Sequence, residues 1–228
     1  MSQPPGGAAS APPNIIYIIR HGEKPADPPA VAAGQTPPAP GPPFGVDFQG
    51  NQNPHSLLPR GWQRSGALAA LFDPATGPLP AGLQIPGALL SPSYGNPDKT
   101  AGHRTYQTIQ GLSDRLGLAI VSGYAEGDEP QLASYVVSAY SGVVLICWEH
   151  HHIPALASSL PAVAGTSIPQ TWPDDRFDVI WAFTLVSAAP VPAAPAPAAQ
   201  YAFAQIPQQL LSGDADTIIP VLPRHLRQ

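Results

Sequence analysis

The chain of 228 residues is long enough for one domain with a substantial core, although only 11% of its residues are charged, against ~25% in an average soluble domain. The formal net charge of -5 argues against nucleic acid and anionic lipid as partners, and the single cysteine, Cys147, excludes an intrachain disulfide. No apolar run reaches the ~18–20 residues that span a bilayer, and the N-terminus lacks the pattern of a signal peptide, so we expect a cytoplasmic protein without a membrane partner.

Proline and glycine are unusually frequent, with 32 and 21 residues. Because proline breaks helices and central strands, this composition predicts long loops. Residues 1–13 have no apolar period and are predicted to form a disordered tail, followed by a single domain over 14–228. Proline-rich loop insertions are predicted at 25–59 and at 187–200, the second as an extended, polyproline-like segment.

Apolar patterns predict strands that alternate with helices. The first strand, Ile15–Ile19, is a continuous β-branched and aromatic run of the kind that is buried on both faces of a sheet. The alternation indicates a three-layer α/β domain. The further elements are a helix at 60–72, a strand at 88–91, a helix at 104–116, a strand at 118–122, a helix at 131–140, a strand at 143–148, a helix at 154–160, and strands at 177–185 and 201–206.

Basic side chains follow two of the predicted strands. The first strand ends in Arg20-His21-Gly22, and the strand at 143–148 is followed by Glu149-His150-His151-His152. Ligands of open α/β sheets bind beyond the carboxyl ends of strands, so we expect these residues to meet at one edge. Arg104 opens a helix, where its guanidinium and the helix amides can share an anion. Arginine forks that hold oxygens, an imidazole nucleophile and a proton donor are what transfer of a phosphoryl group requires.

Four blocks stand in a recognisable order: IIYIIRHGEKP, LLPRGWQRSGALAALF, HRTYQTIQGL and VVLICWEHHHIPALA. Together they resemble the histidine phosphatase superfamily, which has the phosphoglycerate-mutase-like fold, over most of residues 14–228. The resemblance implies a mixed, mostly parallel sheet flanked by helices, and a reaction that needs neither metal nor cofactor. It also implies that His21 is the phosphorylated nucleophile. Arg20, Arg104 of the R-x-x-Q-T block and His150 are then the phosphate-binding residues.

The chain departs from the family pattern at two places. Ser91-Pro92 precedes Arg104 by 13 residues, farther than in the family, which indicates a loop insertion whose tip can reach the substrate. Around His150, Glu149 and His151 stand where the family has small residues. These changes are expected to reshape the pocket.

The general acid stays open between two glutamates. In the family it lies in the loop after the strand that follows the second arginine, which here is Tyr124–Glu129. Glu126 and Glu129 are the candidates, and Glu126 is favoured because it is closer to the end of that strand. Asp128 or Glu129 can instead cap the helix that starts near Pro130, since acidic residues are preferred there.

The expected function is hydrolysis of a small-molecule phosphate ester through a phosphohistidine on His21. The alternatives are a phosphomutase, a non-catalytic protein of the same fold that binds a phosphoryl ligand, and a divalent-metal hydrolase built on His150–His152. Consecutive residues at a strand end point in alternate directions, so three imidazoles are poorly placed to share one ion, and no metal site is predicted. The sequence assigns no oligomeric state.

Overall fold

The computed structural model describes residues 11–27, 32–36, 38, 41–95, 100, 102–187 and 199–221. Every predicted strand and helix is present, with ends that differ from the prediction by no more than two residues. Residues 1–10 of the predicted tail and 188–198 of the predicted polyproline segment lie outside the described residues. The elements are β1 (Ile15–Arg20), α1 (Pro59–Phe72), β2 (Ala88–Leu90), α2 (His103–Leu116), β3 (Ile120–Val121), α3 (Glu129–Ala139), β4 (Val143–Trp148), α4 (Ile153–Ser159), β5 (Val179–Ser187) and β6 (Gln200–Pro207).

The six strands form one mixed sheet in the order β3-β2-β4-β1-β5-β6. Strands β3, β2, β4 and β1 are parallel to one another, and β5 is antiparallel to both of its neighbours. The predicted α/β class and the mixed sheet are therefore confirmed. Because β1 and β4 are central and run side by side, their carboxyl ends meet at the same edge.

Helices cover both faces of the sheet, so alternate side chains of the central strands enter two different cores. All six residues of β1 and of β4 are buried. Tyr17 and Ile19 pack with α1 and α2, whereas Ile16 and Ile18 pack with α3 and α4. None of the described helices combines the length and the apolar character needed to cross a membrane.

The end of β1 approaches the start of α1 very closely, and two glycines permit this contact. A Cβ on Gly22 would stand 3.0 Å from the carbonyl oxygen of Gly61, and a Cβ on Gly61 would stand 2.5 Å from that of Glu23. A side chain at either position would push α1 away from the strand end. The glycine after His21 thus keeps the helix against the residues that end β1.

A buried ion-pair network fixes the same junction. The Arg64 guanidinium on α1 bonds Glu23 at 2.8 Å and Asp214 at 2.7 Å through Nη2. Its Nη1 donates to Oε1 of Gln208 at 3.0 Å. The network joins the end of β1, the helix α1 and the segment after β6.

Candidate active site

His21 and His150 meet where β1 and β4 end. Arg20 pairs with Trp148 across the two strands, so the residues that follow each strand leave the sheet side by side. The centroids of the two imidazoles are 5.8 Å apart and the rings are nearly perpendicular. Both histidines are buried, with 4% and 3% of their surface exposed. The structure therefore brings the two predicted histidines together.

The His21 imidazole is held in one tautomer. Its Nδ1 donates to the carbonyl oxygen of Gly22 at 2.7 Å, which leaves the lone pair on Nε2. Burial, followed by the electrostatic effect of Arg20, Arg104 and His150, lowers the pKa of His21 to about 3. A neutral imidazole with a free Nε2 is the form that a nucleophile needs.

Arg20 is enclosed by a loop that precedes β5. Its Nη1 donates to the carbonyl oxygens of Pro173 at 3.1 Å, Asp174 at 2.7 Å and Arg176 at 2.9 Å. Its guanidinium carbon lies 3.8 Å from the centroid of the Phe177 ring, a cation–π contact. Burial is the main cause that lowers the pKa of Arg20 to about 10, so the side chain keeps its positive charge at neutral pH. The loop fixes the position of this charge.

Arg104 lies in the first turn of α2 and is buried. Its Nη2 donates to the carbonyl oxygen of Pro54 at 2.6 Å. Burial lowers the pKa of its guanidinium, and the negative charge of Asp27 opposes that shift. The long loop before α1 thus orients Arg104 and supplies a nearby acidic residue.

Gln107 and Thr108, the other two residues of the R-x-x-Q-T block, hold α2 in position through hydrogen bonds. The Gln107 side chain accepts the backbone N–H of Leu57 at 3.0 Å and donates to Oγ of Ser56 at 3.0 Å. The Thr108 hydroxyl accepts the backbone N–H of Gly22 at 2.8 Å. These bonds attach α2 to the loop before α1 and to the residue that follows His21.

Three buried polar atoms of the side chains in the described ranges have no hydrogen-bond partner: Nε of Arg20, Nε of Arg104 and Nδ1 of His150. An unpaired buried donor costs ~1–3 kcal/mol, so native proteins rarely leave one without a reason. All three residues act electrostatically on His21, so they lie near its ring. Nδ1 of His150 lies beside the Glu149 carboxylate, whereas a bound anion would give the two Nε atoms the partners that the protein does not supply.

Glu149 is a site residue that was not predicted from the sequence. Its Oε1 lies 2.5 Å from Nδ1 of His150, an ion-pair contact whose direction does not match an aligned hydrogen bond. One ligand atom from each of His21, Glu149 and His150 lies within 4.8 Å of the others. Burial opposes ionisation, but His150 and the N–H of His151 outweigh it and lower the pKa of Glu149 to about 2. The one feature of the sequence that could have pointed to Glu149 as a site residue is its position directly before His150.

Glu129 is buried and paired. Its Oε1 accepts the N–H of Gly127 at 2.9 Å and the indole N–H of Trp148 at 3.0 Å, and it lies 3.0 Å from Nδ1 of His152. Burial alone would raise its pKa, but these donors lower it. The structure therefore holds Glu129 as a carboxylate that anchors the start of α3.

Glu126 has the opposite character. It is exposed at the surface, and partial desolvation, then the charges of Glu149 and Glu129, raise its pKa. A Cβ at Gly102 would stand 3.9 Å from Oε1 of Glu126, which places this carboxyl group at the start of α2, close in sequence to Arg104. Of the two predicted acids, only Glu126 has an environment that favours the protonated form.

The predicted helix capping takes a different form. Asp128 is the N-cap residue of α3, but its side chain makes no capping bond to that helix. Its Oδ2 accepts the N–H of Ala125 at 3.0 Å instead, within the preceding turn. Asp128 and Glu129 thus both accept backbone N–H groups from the turn that precedes α3, because this turn folds back over the start of the helix.

The three consecutive histidines do not alternate as predicted. The rings of His150 and His151 lie 3.9 Å apart between centroids, and both approach Asp174. His152 turns to Glu129 instead. The prediction of divergent imidazoles is wrong for the first two, because the chain forms a turn after β4 and leaves the extended conformation on which the alternation depends. His150, His151 and Asp174, like the group around His21, present atoms that can hold a metal ion.

A small pocket adjoins His150 on its solvent side. Its volume is about 240 Å³, below the ~300–1,000 Å³ of typical ligand pockets, so it suits a small ligand. The Lys24 ammonium, which lines this pocket, forms an ion pair with Asp27. The lining residues are Lys24, Pro25, Ala26, Asp27, His151, Asp174 and Phe177.

No protein-family model matches the chain, and no curated protein matches it. The resemblance to the histidine phosphatases therefore depends on the four sequence blocks.

Proposed function

We propose that the chain is a metal-independent phosphomonoesterase of the histidine phosphatase superfamily, with a phosphoglycerate-mutase-like fold, that acts through a phosphohistidine on His21. The observation that carries the proposal is the pair of buried, unpaired Nε atoms of Arg20 and Arg104 beside a neutral imidazole. Buried donors without partners and a nucleophile with a free lone pair are what a phosphoryl site needs before its substrate arrives.

In the first step, Nε2 of His21 attacks phosphorus while the bond from phosphorus to the ester oxygen breaks. A general acid gives its proton to the departing alkoxide, so that the alcohol leaves neutral. In the second step, water attacks the phosphohistidine and the phosphorus–nitrogen bond breaks. The deprotonated acid takes a proton from that water, and phosphate leaves with the imidazole restored.

Positive charge at the transferring group comes from the protein itself. Arg20 and Arg104 each present a buried, unpaired Nε donor, and the guanidinium of Arg20 keeps its charge at neutral pH. The His150 ring stands beside that of His21, with a centroid separation of 5.8 Å, and its Nε2 is held 2.8 Å from Oδ1 of Asp174. Fixed donors of this kind stabilise charge on the phosphoryl oxygens without a metal ion.

Glu126 is the proposed general acid. Its pKa is raised, whereas the pKa of Glu129 is lowered and Oε1 of Glu129 contacts Gly127, Trp148 and His152. A raised pKa keeps the proton on the carboxyl group at the moment when the leaving oxygen needs it. Glu149 lies closer to His21 but is ionised in the free site, and its charge there favours retention of the proton on Glu126.

A non-catalytic phosphoryl-binding protein is the second candidate function. The observation that favours it is that Glu149, Glu129 and Asp174 all have lowered pKa values, which leaves Glu126, an exposed side chain, as the proton donor. If Glu126 does not reach the leaving oxygen, the site binds a phosphate ester without cleaving it. A phosphomutase would use the same intermediate but deliver the phosphoryl group to a second hydroxyl instead of to water.

Release of inorganic phosphate from p-nitrophenyl phosphate and from an alkyl phosphate tests the proposal, with and without EDTA. We expect turnover by the wild-type chain, no effect of the chelator, and a loss of several orders of magnitude in His21→Ala. Circular dichroism verifies that this variant is folded. Parental activity in His21→Ala, or activity that EDTA removes and zinc restores, would contradict the mechanism. Phosphate binding without turnover would favour the second candidate.

A further inference from the structure

His150, His151 and Asp174 form a cluster of metal-ligating atoms on the solvent side of the site. Oδ1 of Asp174 lies 2.8 Å from Nε2 of His150 and 3.9 Å from Nε2 of His151. One ligand atom from each residue lies within 4.8 Å of the others. In a tetrahedral zinc site with ligands ~2.0–2.2 Å from the ion, neighbouring ligand atoms are ~3.3–3.6 Å apart. The two measured distances lie on either side of that value, so small side-chain rotations bring the three atoms to zinc geometry.

The cluster is also accessible and chemically suited to zinc. The side chains of Asp174 and His151 are 82% and 68% exposed, whereas that of His150 is 4% exposed and fixes one ligand in place. Two imidazoles and one carboxylate are ligands that zinc prefers, and magnesium and calcium prefer oxygen ligands alone. With three protein ligands, a fourth position stays open for water.

We propose that His150, His151 and Asp174 bind Zn²⁺ or a similar transition-metal dication, and that the bound ion inhibits the phosphatase reaction. The inhibition rests on the proposed function, but the binding does not. His151 and Asp174 line the pocket that adjoins His150, so an ion held between them occupies that pocket. The ion is also bound to His150, whose ring centroid lies 5.8 Å from that of His21, so it blocks this side of the site where the phosphoryl group binds.

The guanidinium of Arg20, at the end of β1, contacts the loop that carries Asp174 and weakens the affinity for a cation. Its Nη1 is bonded to the backbone carbonyl oxygens of Pro173, Asp174 and Arg176, which offset part of its charge towards the cluster. The site is therefore expected to bind the metal reversibly, as an inhibitory site does, and not to retain it through purification.

Calorimetric titration of the EDTA-treated, dialysed full-length chain with ZnCl₂ tests the binding. The wild type is expected to bind one Zn²⁺, and His151→Gln and Asp174→Asn to bind at least about tenfold more weakly. His152→Gln is the matched control, because its ring contacts Glu129 and lies outside the cluster. It should bind zinc like the wild type, and MgCl₂ should give no heat of binding. Absence of zinc binding, or an equal loss in His152→Gln, would overturn the site.

The activity arm measures p-nitrophenyl phosphate turnover against zinc, each variant relative to its own rate without metal. Zinc should inhibit the wild type and His152→Gln, and inhibit His151→Gln only at concentrations at least about tenfold higher. Activation by zinc, or equal inhibition of all three, would overturn the inhibitory role. A chain that binds zinc at this cluster but hydrolyses no phosphate ester would refute the proposed function and leave the metal site standing.

Discussion

Replacing His21 by asparagine is expected to make the folded chain more resistant to acid. The pKa of His21 is about 3 in the folded chain, whereas an unfolded histidine titrates near ~6.5. As the pH falls below ~6.5, the unfolded chain takes up the proton while the folded chain does not, so protonation favours unfolding. The contribution of the neutral His21 to stability is therefore fully present above ~pH 6.5 and is lost as the pH falls below that value. A pH of about 5 lies ~1.5 pH units below the pKa of an unfolded histidine. Because each unit lowers the free energy of unfolding by ~1.4 kcal/mol, the loss at about pH 5 is about 2 kcal/mol.

The loss of about 2 kcal/mol requires only that the pKa of His21 in the folded chain lies well below ~5. Burial of the ring and the charges around it lower the pKa to that extent. Urea unfolding at about pH 7.5 and about pH 5 measures it in the wild type and in His21→Asn. The wild type should lose about 2 kcal/mol more than the variant between the two pH values. His151→Asn, which removes an exposed imidazole from the same edge, controls for the loss of a histidine as such. Equal losses in wild type and His21→Asn would mean that His21 accepts a proton in the folded chain and that the proposed neutral nucleophile is wrong.

Three further predictions address the phosphate site, the buried network and the acid. Arg104→Met should lower kcat/KM for p-nitrophenyl phosphate by ~10²–10³, because one fixed donor to the phosphoryl group is lost. Arg115→Met, at the other end of the same helix, should retain the parental rate, and an equal fall in both would refute the role of Arg104. Arg64→Met should cost about 3 kcal/mol in urea unfolding, because two buried carboxylates are left with only the more exposed Arg60 as a cationic partner, and a change below ~1 kcal/mol would show that the network is not stabilising. Glu126→Gln should slow hydrolysis of an alkyl phosphate far more than that of p-nitrophenyl phosphate, whose leaving group needs little protonation. Glu129→Gln should instead lower the melting temperature and affect both substrates alike, and the reverse pattern would exchange the two roles.

The central strands and the residues that follow them were predictable because both depend on local sequence. Ile15–Arg20 and Val143–Trp148 are apolar runs that only a doubly covered sheet can bury, and the structure places them side by side. Once two parallel strands are adjacent, the residues after each must lie at one edge. The proximity of His21 and His150 follows from this topology and needs no further information.

The details of the site depend on contacts between distant segments, which no local pattern encodes. Arg20 is held by carbonyl oxygens more than 150 residues away in sequence, in a loop with no apolar period. The pKa of Glu129 is lowered because, among other donors, an indole from β4 and an imidazole after it reach its carboxylate. The pairing of His150 with His151 required the turn after β4, which the continuous apolar run does not reveal.

Trapping the phosphoenzyme tests the central claim most directly. The chain is mixed with a phosphate ester, quenched in alkaline denaturant and analysed by intact mass spectrometry, because a phosphorus–nitrogen bond on imidazole survives alkali and is cleaved by acid. The proposed mechanism predicts one phosphoryl group per chain, lost on acid treatment, mapped to His21 and absent from His21→Asn. A phosphoryl group on serine or aspartate, or a label that persists in His21→Asn, would contradict it.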